Sequence, residues 1–237
     1  MTALQLVAAN LVIAAGALVQ GSVGFGLALV AAPLLVLIDP RFVPGPLLMA
    51  SLALTTLVTW RDFRSVRLAD LGWSLPGRVL GTGVAVAALT LVPAPRLQLL
   101  LGVVMLVATG LAASNLRIAP NPATLFGAGA VAGVTGTLTS MGGPPMALVY
   151  RDESGPRLRG TLNAFFVFGV TISLVGLGLS GHFGRHEALL ALALMPGAPI
   201  GFVLSRHAAG ILDRGYTKAV VLALSGVASL VVVVRAL

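Results

Sequence analysis

The chain has 237 residues, of which 57% are hydrophobic and 9% charged, with a net charge of +8. Soluble domains carry about 25% charged residues, so this is an integral membrane chain, and a soluble enzyme or a nucleic-acid binder is excluded. The cations fall in short clusters between apolar runs, as orientation signals do, and with no Cys disulfides and thiolate metal sites are ruled out.

Met1 to Asn10 contain no basic segment, so no cleaved signal peptide is expected. Ala3 to Ile38 is then a run of 36 uncharged residues, interrupted by Gly21-Ser22-Val23-Gly24-Phe25-Gly26. Pro44 to Trp60, Leu71 to Val92 and Leu97 to Leu116 follow, each near the ~20 residues a spanning helix needs. A second long uncharged run, Ala123 to Tyr150, has 28 residues and contains Gly133-Val134-Thr135-Gly136-Thr137-Leu138-Thr139-Ser140-Met141-Gly142-Gly143-Pro144-Pro145. Leu158 to Ser180, Ala188 to Leu204 and Tyr216 to Val234 complete the spans.

As single helices the two long runs would extend about 54 and about 42 Å, against a hydrocarbon core of ~30 Å. Gly and Pro each disfavour continuous helix, by ~1 and ~3 kcal/mol. Both runs are therefore expected to be broken, with a second half-helix starting near Leu27 and at Pro144.

The two halves repeat. At an offset of 112, Gly21, Gly24, Pro33 and Pro44 match Gly133, Gly136, Pro145 and Pro156; at 120, Pro76, Gly77 and Gly81 match Pro196, Gly197 and Gly201. The expected organisation is two transmembrane repeats, 1–120 and 121–237, each of about four helical elements and each opening with a broken helix.

Charge placement separates two topologies. If every run crosses once, the 15 Lys and Arg divide 7 against 8, which is no bias. If each broken element is re-entrant, Arg61, Arg64, Arg67, Arg78, Arg117, Arg151, Arg157, Arg159, Arg206, Arg214 and Lys218 share one face. Only Arg41, Arg96, Arg185 and Arg235 remain opposite. Eleven against four obeys the positive-inside rule, so the re-entrant topology is expected, with the repeats inverted. On this reading every charge lies outside the apolar runs or at their ends.

Irregular backbone at membrane depth survives only where protein or a water-filled cavity satisfies it. Inverted repeats with discontinuous helices are the architecture of secondary transporters, with the substrate near the midplane. Half-helix N-termini present free N–H groups and a positive dipole end, which favours an anion. The candidate binding residues are Gly21, Ser22, Gly24, Phe25, Gly26, Thr135, Gly136, Thr137, Thr139, Ser140, Met141, Gly142, Gly143, Pro144 and Asn163. For Gly129 with Gly133, close helix packing is the simpler reading; for Asn163, an interhelical hydrogen bond weighs equally with a substrate contact. The acids Asp39, Asp62, Asp70, Asp152, Glu153, Glu187 and Asp213 are expected in loops or at helix ends. With no intramembrane carboxylate, a proton would travel on a weakly acidic substrate or through His182, His186 or His207.

The Gly21–Gly26 break followed by Leu27-Ala28-Leu29-Val30-Ala31-Ala32-Pro33-Leu34 resembles the first signature of the TauE/SafE family, and Gly133 to Pro145 resembles its second repeat. The likeness runs from about Ala3 to Val234 and implies transport of small anions such as sulfite, sulfoacetate, thiosulfate or other organosulfonates. The Gly-Phe-Gly of the first break is less glycine-dense than is usual there. The expected protein is a transporter of such an anion in the bacterial inner membrane, with no enzymatic activity, metal or cofactor. Its partners would be the small anion and the bilayer, not nucleic acid, and a homodimer is left open. A carrier of another carboxylate, or a membrane scaffold or sensor, are the rival readings.

Overall fold

A computed structural model describes residues 2–153, 155–212 and 216–237, without the side chains of 94–95, 206–212 and 216–218. Asp213 and Arg214, and the side chains of Arg206, His207 and Lys218, therefore lie outside the described residues. The described chain is helical: α1 (Ala3–Val23), α2 (Leu27–Ile38), α3 (Gly45–Asp62), α4 (Leu68–Leu91), α5 (Ala94–Ala113), α6 (Pro122–Thr139), α7 (Gly143–Val149), α8 (Gly155–Leu179), α9 (Arg185–Leu194), α10 (Gly197–Leu212) and α11 (Tyr216–Ala236). Among the described residues, six segments are long and apolar enough to cross a bilayer: α1, α4, α5, α8, α11 and Arg185–Ser205 taken across α9 and α10. The protein is thus a multi-pass membrane protein.

Local sequence explains where the broken elements start and stop. A capping box between Thr2 and Gln5 opens α1. Helix α1 ends at Gly24, whose φ of 105° is a left-handed conformation that glycine adopts without a Cβ clash. Asn121 caps α6, with Pro122 in the first turn. Helix α6 ends at Ser140, left-handed at φ 66°. A serine rarely adopts this conformation, and here its hydroxyl donates to the Pro44 carbonyl at 3.1 Å. Each break is only three residues long, Gly24 to Gly26 and Ser140 to Gly142.

Three expectations need correction. The stretch Gly133 to Thr139 is regular helix in α6, because its glycines serve as contact points. A Cβ on Gly129 or Gly133 would strike the backbone of α4 at Ser74 or Arg78, and Gly77 and Gly81 face the Phe126 and Ala130 carbonyls in return. The run Ala188 to Leu204 is interrupted between Leu194 and Gly197, where Pro196 removes a donor and crowds the preceding turn. Arg78 does not lie at a helix end: it is buried inside α4, 2% exposed.

Close backbone approach also sets directions. Gly197 meets the Asn10 carbonyl and Gly201 that of Ala14, so α1 and α10 run parallel. Gly77 against Phe126 and Gly81 against Ala130 make α4 and α6 parallel in the same way. Helix α3 packs on α8, and α5 on α11. Small residues at such contacts are how membrane helices gain dispersion energy where lipid offers no hydrophobic drive.

Three connections gather at one end of the bundle. Arg67 pairs with Glu153 at 3.1 Å, Arg159 with Asp62 at 3.1 Å, and Arg151 donates to the Ser114 and Leu116 carbonyls. At the other end Gly45 abuts the Phe183 ring. Trp60 and Trp73 are exposed toward the basic end, where indoles favour the lipid headgroup layer.

Candidate functional site

The two breaks meet. A Cβ on Gly143 would lie 3.3 Å from the Phe25 Cβ, and between the breaks lies a cavity of about 40 Å³. This volume holds about three waters on the scale of one per ~10–15 Å³. Its wall combines the first break (Gln20, Phe25, Gly26), the second (Ser140 to Pro144), Ser51 and Thr55 of α3, and Arg78. Leu29, Leu48, Phe166 and Val170 supply the apolar surface.

Arg78 is the single charged group in that wall. Its Nε and Nη2 donate to the Gly169 carbonyl at 3.3 and 3.1 Å, Nη2 donates to Ser173 Oγ at 2.8 Å, and Nη1 donates to the Ala132 carbonyl. The Phe165 ring lies 6.0 Å from the guanidinium carbon. A guanidinium has five N–H donors, so these four bonds leave one Nη1 hydrogen uncommitted. None of the acceptors is a carboxylate. Glycine makes the room: a Cβ on Gly142 would lie 2.8 Å from Nη1, one on Gly169 2.8 Å from Nε, and Gly136 also abuts the guanidinium.

A chain of hydroxyls holds the guanidinium from behind. Ser173 Oγ uses its hydrogen on the Gly169 carbonyl at 3.0 Å, so Thr137 donates to Ser173 at 2.7 Å. Thr82 in turn donates to Thr137 at 3.1 Å. All three hydroxyls are buried, and their order fixes which one offers a lone pair to Arg78.

The first break is braced by amides. Gln20 Oε1 accepts from the Leu27 N–H at 3.2 Å, and Gln20 Nε2 donates to Asn163 Oδ1 at 2.9 Å. Asn163 Nδ2 donates to the Gly24 and Arg159 carbonyls, both at 2.8 Å. Below it, Arg61 donates to the Gly21 carbonyl at 2.9 Å and Arg159 to the Ser22 carbonyl at 3.5 Å, with Asp62 between the two arginines. These cations neutralise the negative end of α1. The N–H groups of Ala28 and Leu29, at the start of α2, find no protein acceptor among the described residues, and both residues line the cavity.

The candidate residues thus fall into two groups. Phe25, Gly26, Ser140, Met141, Gly142, Gly143 and Pro144 line the cavity. Gly21, Ser22, Gly24, Thr135, Gly136, Thr137, Thr139 and Asn163 stand behind it. There Ser22 donates to the Leu18 carbonyl, Thr135 to that of Val131 and Thr139 to that of Thr135. The sequence reading missed Arg78 and Gln20. An arginine in the interior of the apolar run Leu71 to Val92 was the available signal, since an intramembrane charge marks a site by default. Gln20, one turn before the first glycine break, was a weaker one.

The described acids sit elsewhere. Asp62, Asp70 and Glu153 are engaged by arginines at the basic end, and Asp39 by Arg41 at the other. Among the described residues no cluster of His, Asp and Glu is arranged to hold a metal. Chemically, the cavity offers one uncompensated positive charge, free backbone N–H groups and a partly apolar wall.

No curated protein and no solved structure matches the chain. The family described as Sulfite exporter TauE/SafE matches residues 9–232, nearly the whole length. This chain, a helical multi-pass membrane protein matched over that length, belongs to the TauE/SafE sulfite exporter family of membrane transporters.

Proposed function

We propose that this protein carries a small sulfur oxyanion or organosulfonate across the bacterial inner membrane, binding it between the two helix breaks. The observation that carries the reading is Arg78, a buried cation whose described partners are all neutral. A charge held in low dielectric without a counter-ion is costly, and a bound anion removes that cost. Residues lining the cavity from Phe25 to Gly26 and from Ser140 to Pro144 contact the anion. The remaining candidates, Asn163 among them, hold the breaks in shape.

Helix pairing supports an inverted duplication. Under the repeat, α1 corresponds to α6 and α4 to α9 and α10; α1 packs on α10 as α6 packs on α4. The ion pairs support re-entrant breaks. Straight crossings would send residues 62 and 159 to opposite faces, yet Asp62 and Arg159 are 3.1 Å apart. Re-entrant breaks gather those connections, with most of the Lys and Arg, on the cytoplasmic side.

A liposome flux assay with sulfite, sulfoacetate and thiosulfate tests the function. Saturable flux of at least one of these anions is expected. Absence of flux for all three from a folded, reconstituted protein refutes it.

A further inference from the structure

We infer that the site takes its substrate as a monoanion, one negative charge set against the one positive charge of Arg78, and rejects dianions of the same size. This rests on the anion reading above and adds to it the charge state of the species carried.

Charge counting around the cavity carries the argument. Of the residues in its wall, Arg78 alone is charged; Gln20, Ser51, Thr55 and Ser140 are neutral. The elements packed around the guanidinium present Thr82 from α4, Thr137 from α6, and Ser173 and Phe165 from α8, none of which titrates near neutrality. Arg61 and Arg159, which share the Asp62 carboxylate and donate to the Gly21 and Ser22 carbonyls, are not in the cavity wall. A monoanion in the cavity therefore balances the charge of its wall. A dianion leaves one net negative charge in a poorly solvated site, which is unfavourable unless a second partner neutralises it.

The geometry supplies donors in the same proportion. One Nη1 hydrogen is uncommitted by the four bonds to protein, and the Ala28 and Leu29 N–H groups add two neutral donors. These suit the few oxygens of a small anion, while the Leu29, Leu48, Phe166 and Val170 side of the wall offers no hydration to a second charge. Sulfite, whose second ionisation falls close to neutrality, would then travel as hydrogensulfite. The proton moves on the substrate, and no carboxylate in the bundle is needed for it.

The experiment compares anions of matched shape on the purified full-length protein, in detergent for binding and in liposomes for flux. Sulfamate and methanesulfonate are monoanions, sulfate is a dianion, and all three keep their charge between about pH 6 and about pH 8. Both monoanions are expected to bind about tenfold or more tightly than sulfate. Sulfite flux at fixed total concentration should rise as pH falls through that range, while methanesulfonate flux stays level. A Ser51→Lys variant, which adds a second cation to the wall, should shift preference toward sulfate. Sulfate binding as tightly as sulfamate overturns the inference while leaving anion transport standing, as does a preference for methanesulfonate alone, which would report the methyl group. Failure of every anion to bind or move removes the anion reading itself.

Discussion

The carboxamide of Gln20 donates to that of Asn163 at 2.9 Å, tying the end of α1 to α8 across 143 positions of sequence. Both side chains are buried, at 4% and 0% exposure. Asn163→Ala would leave the Gln20 N–H₂ and the Gly24 carbonyl without partners. Stability should fall by about 1–3 kcal/mol, the cost of unsatisfied buried polar groups. Thermal unfolding in detergent measures it, and an unchanged midpoint would show the amide bridge to be dispensable.

Arg78 should tolerate little change. Arg78→Gln keeps hydrogen bonding but removes the charge, and flux should drop at least about a hundredfold, the upper end of the ~1.5–3 kcal/mol of one charged hydrogen bond. Arg78→Lys restores the charge without the planar fork, so partial recovery is expected. Flux measured beside a size-exclusion profile separates loss of function from loss of fold; equal flux in Arg78→Gln and wild type would remove Arg78 from the site.

At the breaks, glycine is required by space and by backbone. Gly24 has φ 105°, and a Cβ there would lie 3.0 Å from the Arg159 side chain, while one on Gly143 would lie 3.3 Å from Phe25. Gly24→Leu and Gly143→Leu should abolish flux. Gly110→Leu in α5, with no atom within 4 Å of its Cβ position, should leave flux within about twofold, near the ±0.5 kcal/mol typical of open positions. Comparable loss in all three would mean that flux is sensitive to any bulky change.

Sidedness can be read directly because the chain has no Cys. Single cysteines at positions 64 and 157 should react with an impermeant reagent from the same side, and one at position 41 from the opposite side. Labelling of 64 and 157 from opposite sides would exclude re-entrant breaks.

Gln20→Glu tests the sign of the site. It places a carboxylate beside the cavity, opposite Arg78, where it would act as an internal competitor for the anion. Affinity should fall further than in Gln20→Ala, by about tenfold. Equal effects of the two substitutions would argue that the cavity holds a neutral solute.

The sequence by itself determined the membrane class, most of the spans and where the half-helix after each break begins. These follow from local quantities: uninterrupted apolar length, and Gly or Pro density that weakens helix residue by residue. Helices α2 and α7 begin at Leu27 and Gly143 for reasons written within a few residues of each. Tertiary structure decided what the glycines are for. Gly129 and Gly133 admit α4, while Gly136, Gly142 and Gly169 make room for one guanidinium, a distinction between contacts far apart in sequence. It also decided the place of Arg78. Counting charges along the chain put it with the loop arginines, because a sequence window does not show which side of α4 faces protein. Only the packing of α4 against α6 and α8 turns that arginine inward, away from lipid and onto the two breaks.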